Sequence, residues 1–458
     1  MSGRPELPKI AATLYEEIKD IAIVSPHGHC DPSWFSENAP FPDPATLLVT
    51  PDHYVFRMLY SQGVALEDLG IGVPEDKRDP REIFRLFASH WHLFLGTPSR
   101  AWIEYTLRKT LGIKEVLSAE TTDLVYDQIA AKLTEKVFRP REAMEALNIE
   151  VLATTDGALD SLDAHAAMRS SGWQGSVIPT FRPDDILNPL RPGHADNIVR
   201  LGDMTGEDTA TFAGFLTAIE KRRAFFRSLG ATATDHDVPF LMTGWLARAE
   251  IETLHGKAIE GALSEDEALQ YYGHMLIEMA QMSADDGMVM QVHAGSMRST
   301  NHEVLAKFGP DKGADIPIAI DWVRGLDALL NRVGNHPNFR LLAFTLDEST
   351  YARELAPMAG HWPCMRLGPP WWFHDSANGI RRYFDNVVET AGYWNLAGFN
   401  DDTRAFLSIP ARHDLWRRGV SLHLNDQVER GVFGLNDARR LAPLLTRDLA
   451  IDAYRLED

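Results

Sequence analysis

The chain repeats a pattern in which a short apolar run ends at a polar or charged residue. Eight such runs occur, and most are separated by stretches with the apolar spacing of amphipathic helices. They lie at residues 21–25, 150–153, 176–181, 231–234, 288–292, 339–344, 364–367 and 395–399. Alternating strands and helices, with functional groups at the carboxyl ends of the strands, are typical of a (β/α)8 barrel. We therefore predict a single TIM-type barrel domain of the α/β class over residues 1–458.

The interval between the first two runs, approximately residues 30 to 149, is too long for one βα connection. It contains helical patterns at residues 80–94, 100–111 and 123–133. We therefore predict a mostly helical insertion, or subdomain, that leaves the end of the first strand and lies over the active-site mouth.

One intervening helix has a clear start and end in the sequence. Ser264 and Glu267 have the spacing of a capping box, an apolar stripe follows, and Gly287 stands just beyond its end. Its methionines are expected to pack against the barrel.

Composition narrows the classes of partner and compartment. The chain is 45% hydrophobic and 24% charged, as in ordinary globular proteins, and no apolar stretch approaches the roughly 18 residues of a membrane span. A net charge of −20 disfavours nucleic acids and anionic membranes as partners, although converging arginines can still capture a small anion. The N-terminus also lacks the apolar segment of a secretion signal, so we expect a cytoplasmic protein. The two cysteines are too few for a disulfide framework or a cysteine-rich zinc site.

The strongest local motif for metal binding is His27-Gly28-His29, which follows the first run. Residues i and i+2 of a strand point to the same face, so both imidazoles can reach one ion. In isolation, two histidines in a polar turn would be the better interpretation. Barrel closure places the last strand beside the first, so Asp402 can complete the site. Asp401 is the competing ligand on sequence alone, with helix capping as its alternative role.

Further candidate residues stand at other strand ends. His293 ends the fifth run, where function is favoured over a buried structural histidine. Arg182, Arg298 and Arg404 each follow a run and together would bind a carboxylate. The alternative is that these arginines only brace the barrel through salt bridges.

These residues belong to a series of ordered motifs that resembles the uronate isomerase (glucuronate isomerase) family of the amidohydrolase superfamily. The motifs cover nearly the whole chain. They are Ser25-Pro26-His27-Gly28-His29, Pro51-Asp52-His53-Tyr54 with Arg57, Thr154-Thr155-Asp156, Phe181-Arg182-Pro183-Asp184, Thr234-Asp235-His236, residues 293–298, Lys312-Gly313-Ala314-Asp315, Trp371-Trp372-Phe373 and Asp402-Thr403-Arg404.

The resemblance implies an aldose–ketose isomerase of carbohydrate metabolism, acting on a small sugar acid. It would interconvert D-glucuronate and D-fructuronate, and D-galacturonate and D-tagaturonate. It also implies one divalent metal ion, commonly zinc, on His27, His29 and Asp402. Catalytic roles fall to Tyr54, Asp235, His293 and Asp402, and substrate-binding roles to Arg182, Arg298, Trp371 and Arg404.

The sequence also departs from related families. Hydrolytic amidohydrolases usually carry a lysine or glutamate on the fourth strand and a histidine on the sixth. In this chain the fourth strand ends in Asp235, and the sixth ends in Thr345 and Asp347. We therefore expect a mononuclear metal site. Cys30, beside the histidine pair, is either an adventitious ligand or a bystander.

A proton shift between C2 and C1 of the open-chain sugar needs a base and an electrophile. Tyr54 and a water on the metal are the candidate proton carriers, and Asp402 or His293 could assist ring opening. Tyr54 has an ordinary pKa of about 10, so it needs a nearby cation to act as a base. The alternative functions are a mononuclear metal-dependent hydrolase and a non-catalytic sugar-acid sensor. The preferred uronate, the physiological metal and a homo-oligomeric state are left open.

Overall fold

The computed structural model of the protein describes residues 6–456. Seven parallel strands follow one another around a barrel. They are Ile23–Ser25, Ile149–Ala153, Ser176–Ile178, Ala233–Val238, Val289–Ala294, Leu341–Thr345 and Met365–Leu367, and we number them first to seventh. The second and third strands continue, after a short break, as the paired segments Asp156–Gly157 and Phe181–Arg182.

The barrel is closed by an eighth segment that precedes Asp402. A parallel bridge joins Leu367 of the seventh strand to Leu396. The amide of His29 donates to the carbonyl of Thr403 (3.0 Å), and the amide of Asp402 donates to the carbonyl of His27 (3.3 Å). Each strand or segment of the barrel therefore pairs with its neighbour in chain order, and the predicted (β/α)8 barrel is confirmed.

The fourth and eighth predicted strands differ from the observed ones, and the third is interrupted after Ile178. The fourth was expected at 231–234 but spans Ala233–Val238, and all six of its residues are buried. The polar residues of this strand do not follow the apolar pattern that predicts a buried strand. Inside the closed barrel, these residues are paired with other polar side chains. The eighth run, 395–399, forms only the single bridge. Gly398 has φ +78°, and a Cβ there would lie 2.5 Å from the backbone nitrogen of Ala450, so the segment bends.

The segment after the first strand is mostly helical. Four of its helices begin with an Asp-Pro or Thr-Pro pair, in which the first side chain caps the helix and proline occupies the first turn. The helices are Pro32–Glu37, Pro44–Leu48, His53–Tyr60, Pro80–Ser89, Pro98–Tyr105, Thr122–Leu133 and Pro140–Ala146, with short turns at Glu67–Leu69, Glu75–Lys77, Trp91–Phe94, Thr106–Thr110 and Lys136–Phe138.

The remaining helices connect or flank the barrel strands. The helix with the predicted capping box is Glu265–Asp286; both reciprocal bonds of the box are present, and Gly287 ends the helix at φ +84°. The others are Lys9–Ile18, Asp163–Ser170, Asp184–Leu187, His194–Thr205, Phe212–Ser228, Arg248–Ile259, His302–Phe308, Trp322–Val333, Ala356–Ala359, Ala377–Ala391, Ile409–Glu429, Leu435–Pro443 and Leu449–Tyr454. A small antiparallel pair joins Ser296–Met297 to Ile316–Pro317.

Two large apolar clusters stabilise these layers. The larger lies between the barrel strands and the helices around them, and includes the fully buried Trp416 and the methionines of Glu265–Asp286. The second joins the helical insertion to the first two strands, for example Phe87 and Phe94 with Ile23. None of the helices between residues 6 and 456 combines the length and apolar content needed to cross a bilayer.

Candidate active site

Barrel closure brings His27 and His29 next to Asp402. The first strand ends at Ser25, but the two hydrogen bonds described above keep the following residues beside the eighth segment. The Nε2 atoms of His27 and His29 lie 3.4 and 3.0 Å from the same oxygen, Oδ1 of Asp402. The structure thus brings Asp402 next to two histidines that precede it by 375 and 373 residues in the chain.

Asp402 and its neighbour Asp401 face different partners. The indole nitrogen of Trp371 donates to Oδ2 of Asp402 (2.7 Å), and Oδ1 faces the histidine pair. Burial alone would raise the pKa of the Asp402 carboxyl, but the two histidines hold that pKa well below its usual range. Asp401 instead lies 3.1 Å from Nε2 of the buried His413. Of the two aspartates, only Asp402 is directed at His27 and His29.

The group formed by His27, His29 and Asp402 fits a metal ion by its geometry and donor chemistry. One ligand atom from each residue lies within 4.8 Å of the others. Oδ1 of Asp402 is buried, and within residues 6–456 it has no well-formed hydrogen bond, although the two histidine nitrogens lie near it. Two imidazole nitrogens and a carboxylate oxygen are a donor set suited to a divalent ion of the zinc type.

His27 also belongs to a second group, with Asp235 and His293. The rings of His27 and His293 stack at 4.7 Å, and Nδ1 of His293 is 2.7 Å from Oδ1 of Asp235. The other oxygen of Asp235 is 3.2 Å from the guanidinium of Arg182. Burial would raise the pKa of Asp235, but Arg182 and His293 hold it well below its usual range. Since this carboxylate is already neutralised by a guanidinium, a second cation beside it is disfavoured.

The predicted arginines line one cavity but differ in their ion pairs. Arg298 makes a two-pronged contact with the carboxylate of Asp237, at 3.2 Å for both nitrogens, and Arg182 lies 3.6 Å from the same group. Arg191 is 3.1 Å from Asp237 and is a third guanidinium at this carboxylate. Arg404 differs from them: the acid paired with it, at 3.9 Å, is an exposed aspartate, and the Arg404 side chain is 42% exposed. Arg404 is therefore the least engaged of the predicted arginines.

Tyr54 lines the same cavity from the helical insertion. It stands in the first turn of His53–Tyr60, where the carboxylate of Asp52 accepts a hydrogen bond from its amide (2.8 Å). Burial, followed by the charge of Asp375, raises the pKa of the Tyr54 hydroxyl well above its ordinary value. The sequence analysis called for a cation near Tyr54, and the Arg412 guanidinium lies 5.7 Å from the centroid of its ring. Arg412 lowers the pKa of the Tyr54 hydroxyl by less than burial raises it.

Cys30 is buried behind the histidine pair. Its Sγ lies 3.7 Å from the carbonyl oxygen of Thr403. Burial, followed by the charge of Asp401, raises the pKa of this thiol well above its ordinary value. Cys30 therefore stays a protonated thiol near neutral pH in this environment.

The predicted metal-binding, catalytic and substrate-binding residues all line one cavity of about 1040 Å³, whereas Cys30, Asp375, Asp401 and His413 do not. Nine aspartates and five arginines line it, so its acids outnumber its guanidiniums. Sequence reasoning missed Arg191, Asp237, Asp375 and Arg412. Asp237 could have been found from the two-residue period of a longer fourth strand, whereas Arg191 and Arg412 stand in a loop and a helix without a recognisable signal.

The fold and site define a class: a (β/α)8-barrel enzyme with a His/His/Asp group of metal-binding type beside arginines in one cavity. A family model described as glucuronate isomerase matches residues 7–452. A uronate isomerase of Rhizorhabdus wittichii is 52% identical over 452 residues, covering 99% of this chain and 96% of the relative.

Solved structures agree with this result. The crystal structure of glucuronate isomerase from Caulobacter crescentus has a TM-score of 0.97 at 47% identity, covering 99% of this chain and 96% of that one. A uronate isomerase from Thermotoga maritima has a TM-score of 0.92 at 28% identity, covering 98% of both chains. The chain belongs to the glucuronate isomerase family. It is an enzyme that isomerises uronates, and the hydrolase and sensor alternatives are set aside.

Proposed function

We propose that the enzyme interconverts D-glucuronate and D-fructuronate, and D-galacturonate and D-tagaturonate, by moving a proton between C2 and C1 of the open-chain sugar. The observation that carries this proposal is the meeting of His27, His29 and Asp402 with Arg404 and Tyr54 in one cavity. Such a cavity offers an electrophilic group, a cation for a carboxylate and a hydroxyl that can exchange protons.

His27, His29 and Asp402 would hold one divalent ion, for which zinc is our choice. When bound, this ion would supply Lewis-acid polarisation of the sugar carbonyl or the neighbouring hydroxyl. The pairing of Arg182 with Asp235 supports a single ion, because it neutralises the carboxylate of the second His27 group. Trp371 supports the site by holding Oδ2 of Asp402, which keeps the other oxygen on the histidine side.

The substrate carboxylate binds the arginines. Arg404 is the primary partner, because no strong ion pair occupies it. Arg298 and Arg182 are held in position by Asp237 and contribute positive charge and directed hydrogen bonds in the same cavity. Preorganised guanidiniums of this kind lose little conformational freedom when the anion binds.

Proton handling falls to the groups that face the sugar. Tyr54 carries the proton between the two carbons as a neutral phenol, in keeping with its raised pKa. His293, oriented by Asp235 through a 2.7 Å contact at Nδ1, presents its Nε2 to assist ring opening together with Asp402. Nε2 of His293 is buried and has no partner within residues 6–456, which supports a substrate contact there.

The helical insertion covers the mouth of the barrel, as a subdomain that excludes water from the enediolate. Asp52, His53 and Tyr54 of this segment line the cavity together with the strand ends, which supports such a cover. The cytoplasmic location stays a prediction from the sequence.

The test is an NMR assay of the purified enzyme with D-glucuronate and D-galacturonate. We expect a ketose product from both, loss of turnover after chelation, and recovery on adding Zn²⁺. His29→Ala should lose both bound metal and turnover, whereas Cys30→Ser should retain both. Turnover that persists in metal-free protein, verified by elemental analysis, would overturn the metal assignment, and absence of ketose from either uronate would overturn the substrate assignment.

A further inference from the structure

A buried carboxylate stands directly behind Tyr54. Asp375 follows the short helix Trp372–His374, and its Oδ2 lies 3.5 Å from the Tyr54 hydroxyl. The Asp375 side chain is 11% exposed and does not line the cavity, whereas Tyr54 does. The tyrosine therefore separates this carboxylate from the space in which the sugar binds.

Asp375 is also held in place by Arg412, on helix Ile409–Glu429. The guanidinium lies 3.0 Å from the same Oδ2 atom. It also donates to the carbonyl oxygen of Asp401 (3.1 Å) and stacks on Trp102 at 3.6 Å. These contacts fix the arginine, so Oδ2 of Asp375 is oriented toward the phenol. Its other oxygen, Oδ1, is buried without a hydrogen-bond partner in the described part of the chain.

We propose that Asp375 is a positioning residue that orients the Tyr54 hydroxyl and accepts its proton while Tyr54 takes one from the substrate. The proposal rests on the role of Tyr54 given above. It resolves a difficulty in that role, because a phenol that cannot ionise near neutral pH can still act as a base if its own proton leaves at the same time.

In the aldose-to-ketose direction, each half of the reaction moves two protons through Tyr54 and Asp375. The C2–H bond breaks, its electron pair enters the enediolate, and the proton joins Tyr54 Oη. The former Oη proton moves to Oδ2 of Asp375. In the second half, Asp375 returns this proton to Oη and Tyr54 delivers a proton to C1. The C2 hydroxyl proton passes to the C1 oxygen in the same half, so that C2 becomes the ketone carbonyl and C1 carries the hydroxyl group. Tyr54 is neutral before and after each half, and no other reactant is consumed.

The chemistry of Asp375 suits this part. Burial raises the pKa of its carboxyl to about 7, although Arg412 lowers it in part. A group with a pKa near the working pH can both accept and return a proton. The charged and titratable groups that act on it are Arg412, Tyr54, Arg57 and Asp402. The 3.5 Å separation is long for a hydroxyl bond, but catalytic hydrogen bonds often shorten only when substrate is bound.

A purely structural role for Asp375 is the competing explanation, since the ion pair with Arg412 joins a loop to a helix. The two roles are separated by steady-state kinetics of Asp375→Asn, Tyr54→Phe and the double variant of the metal-loaded enzyme with D-glucuronate. We expect Asp375→Asn to lower kcat by about 100-fold with KM changed less than about threefold. The double variant should be no slower than Tyr54→Phe alone, because both changes interrupt one path.

The kcat pH profile gives a second readout. The wild type should show a limb near neutral pH, with kcat rising as Asp375 ionises, and Asp375→Asn should lose this limb. Asp375→Glu keeps the charge and displaces the carboxylate; it should also lower kcat, and it serves as the test variant if the asparagine form does not fold. Asp286→Asn is the matched control, because Asp286 pairs with the buried Arg223 (2.7 Å) outside the cavity. It should lower the melting temperature and leave kcat unchanged.

The proposal fails if Asp375→Asn and Asp375→Glu keep wild-type kcat, or if the effects of Asp375→Asn and Tyr54→Phe multiply. A Tyr54→Phe enzyme that keeps most of its kcat would instead overturn the role of Tyr54 itself. If the metal-loaded wild-type enzyme forms no ketose from D-glucuronate, the proposed reaction itself is overturned. These failures are therefore distinguishable.

Discussion

Replacing Arg404 and Arg298 separately by methionine should separate substrate binding from stability. Both guanidiniums line the cavity, but their surroundings differ. Arg404 is 42% exposed, and its nearest acid, Asp311, is 3.9 Å away and 53% exposed. An exposed pair of this kind contributes at most about 1 kcal/mol to stability. A hydrogen bond to the substrate carboxylate contributes about 1.5–3 kcal/mol.

Arg404→Met should therefore raise KM for D-glucuronate by roughly 10- to 150-fold, with little change in melting temperature. Arg298→Met should also raise KM, but it removes a two-pronged contact from Asp237, whose side chain is 3% exposed. The stability loss is about 1–3 kcal/mol, below that of an isolated buried pair, because Arg191 and Arg182 remain beside Asp237.

The assay is NMR initial rates over a range of D-glucuronate concentrations, together with thermal unfolding of each variant. Arg381→Met is the matched control: this arginine is 75% exposed on helix Ala377–Ala391, with a partner 3.7 Å away. It should change neither KM nor melting temperature. The reasoning would be refuted if Arg404→Met kept KM within about twofold of the wild type, or if it destabilised the fold as much as Arg298→Met.

Three other changes test separate parts of the structure. Trp371→Phe removes the 2.7 Å hydrogen bond to Asp402 and should weaken metal affinity by about 10- to 100-fold, measured by competition with a chelator; unchanged affinity would contradict the bond's supporting role. Burial lowers the pKa of His165 and of His423 to about 4, so the folded state resists protonation and stability falls as pH drops from about 6.5 toward 4. At pH 5 each histidine should reduce the free energy of unfolding by about 2 kcal/mol, and replacing His423 by Gln should flatten the pH dependence of urea unfolding. Ser264→Ala removes the capping box and should cost about 1 kcal/mol, seen as a lower melting temperature with unchanged kcat.

The sequence alone determined the features that depend on local patterns. Apolar runs with polar ends predicted the strands of the barrel. Ser264 and Gly287 predicted the limits of one helix, because capping and glycine preferences act within a few residues. The long interval before the second strand likewise predicted the helical insertion. The ordered motifs, together with the His27 and His29 pair, were sufficient to predict the uronate isomerase family.

Tertiary structure decided what depends on neighbours that are distant in the chain. Asp401 and Asp402 are adjacent and chemically identical, and only barrel closure and the positions of Trp371 and His413 direct them to different partners. The fourth strand could not be recognised beyond residue 234, because its charged side chains are tolerated only where the barrel pairs them.

The arginines and Tyr54 show the same limit. Whether Arg298 is free or bound to Asp237, and whether Tyr54 has a low or a raised pKa, is set by burial and by charges from other strands and helices. Such effects act through space over a few ångströms, and residue order along the chain does not specify them. Asp375 and Arg412 were missed for this reason. They become partners of Tyr54 only after the helical insertion, the loop that follows the seventh strand and the helix Ile409–Glu429 have packed together.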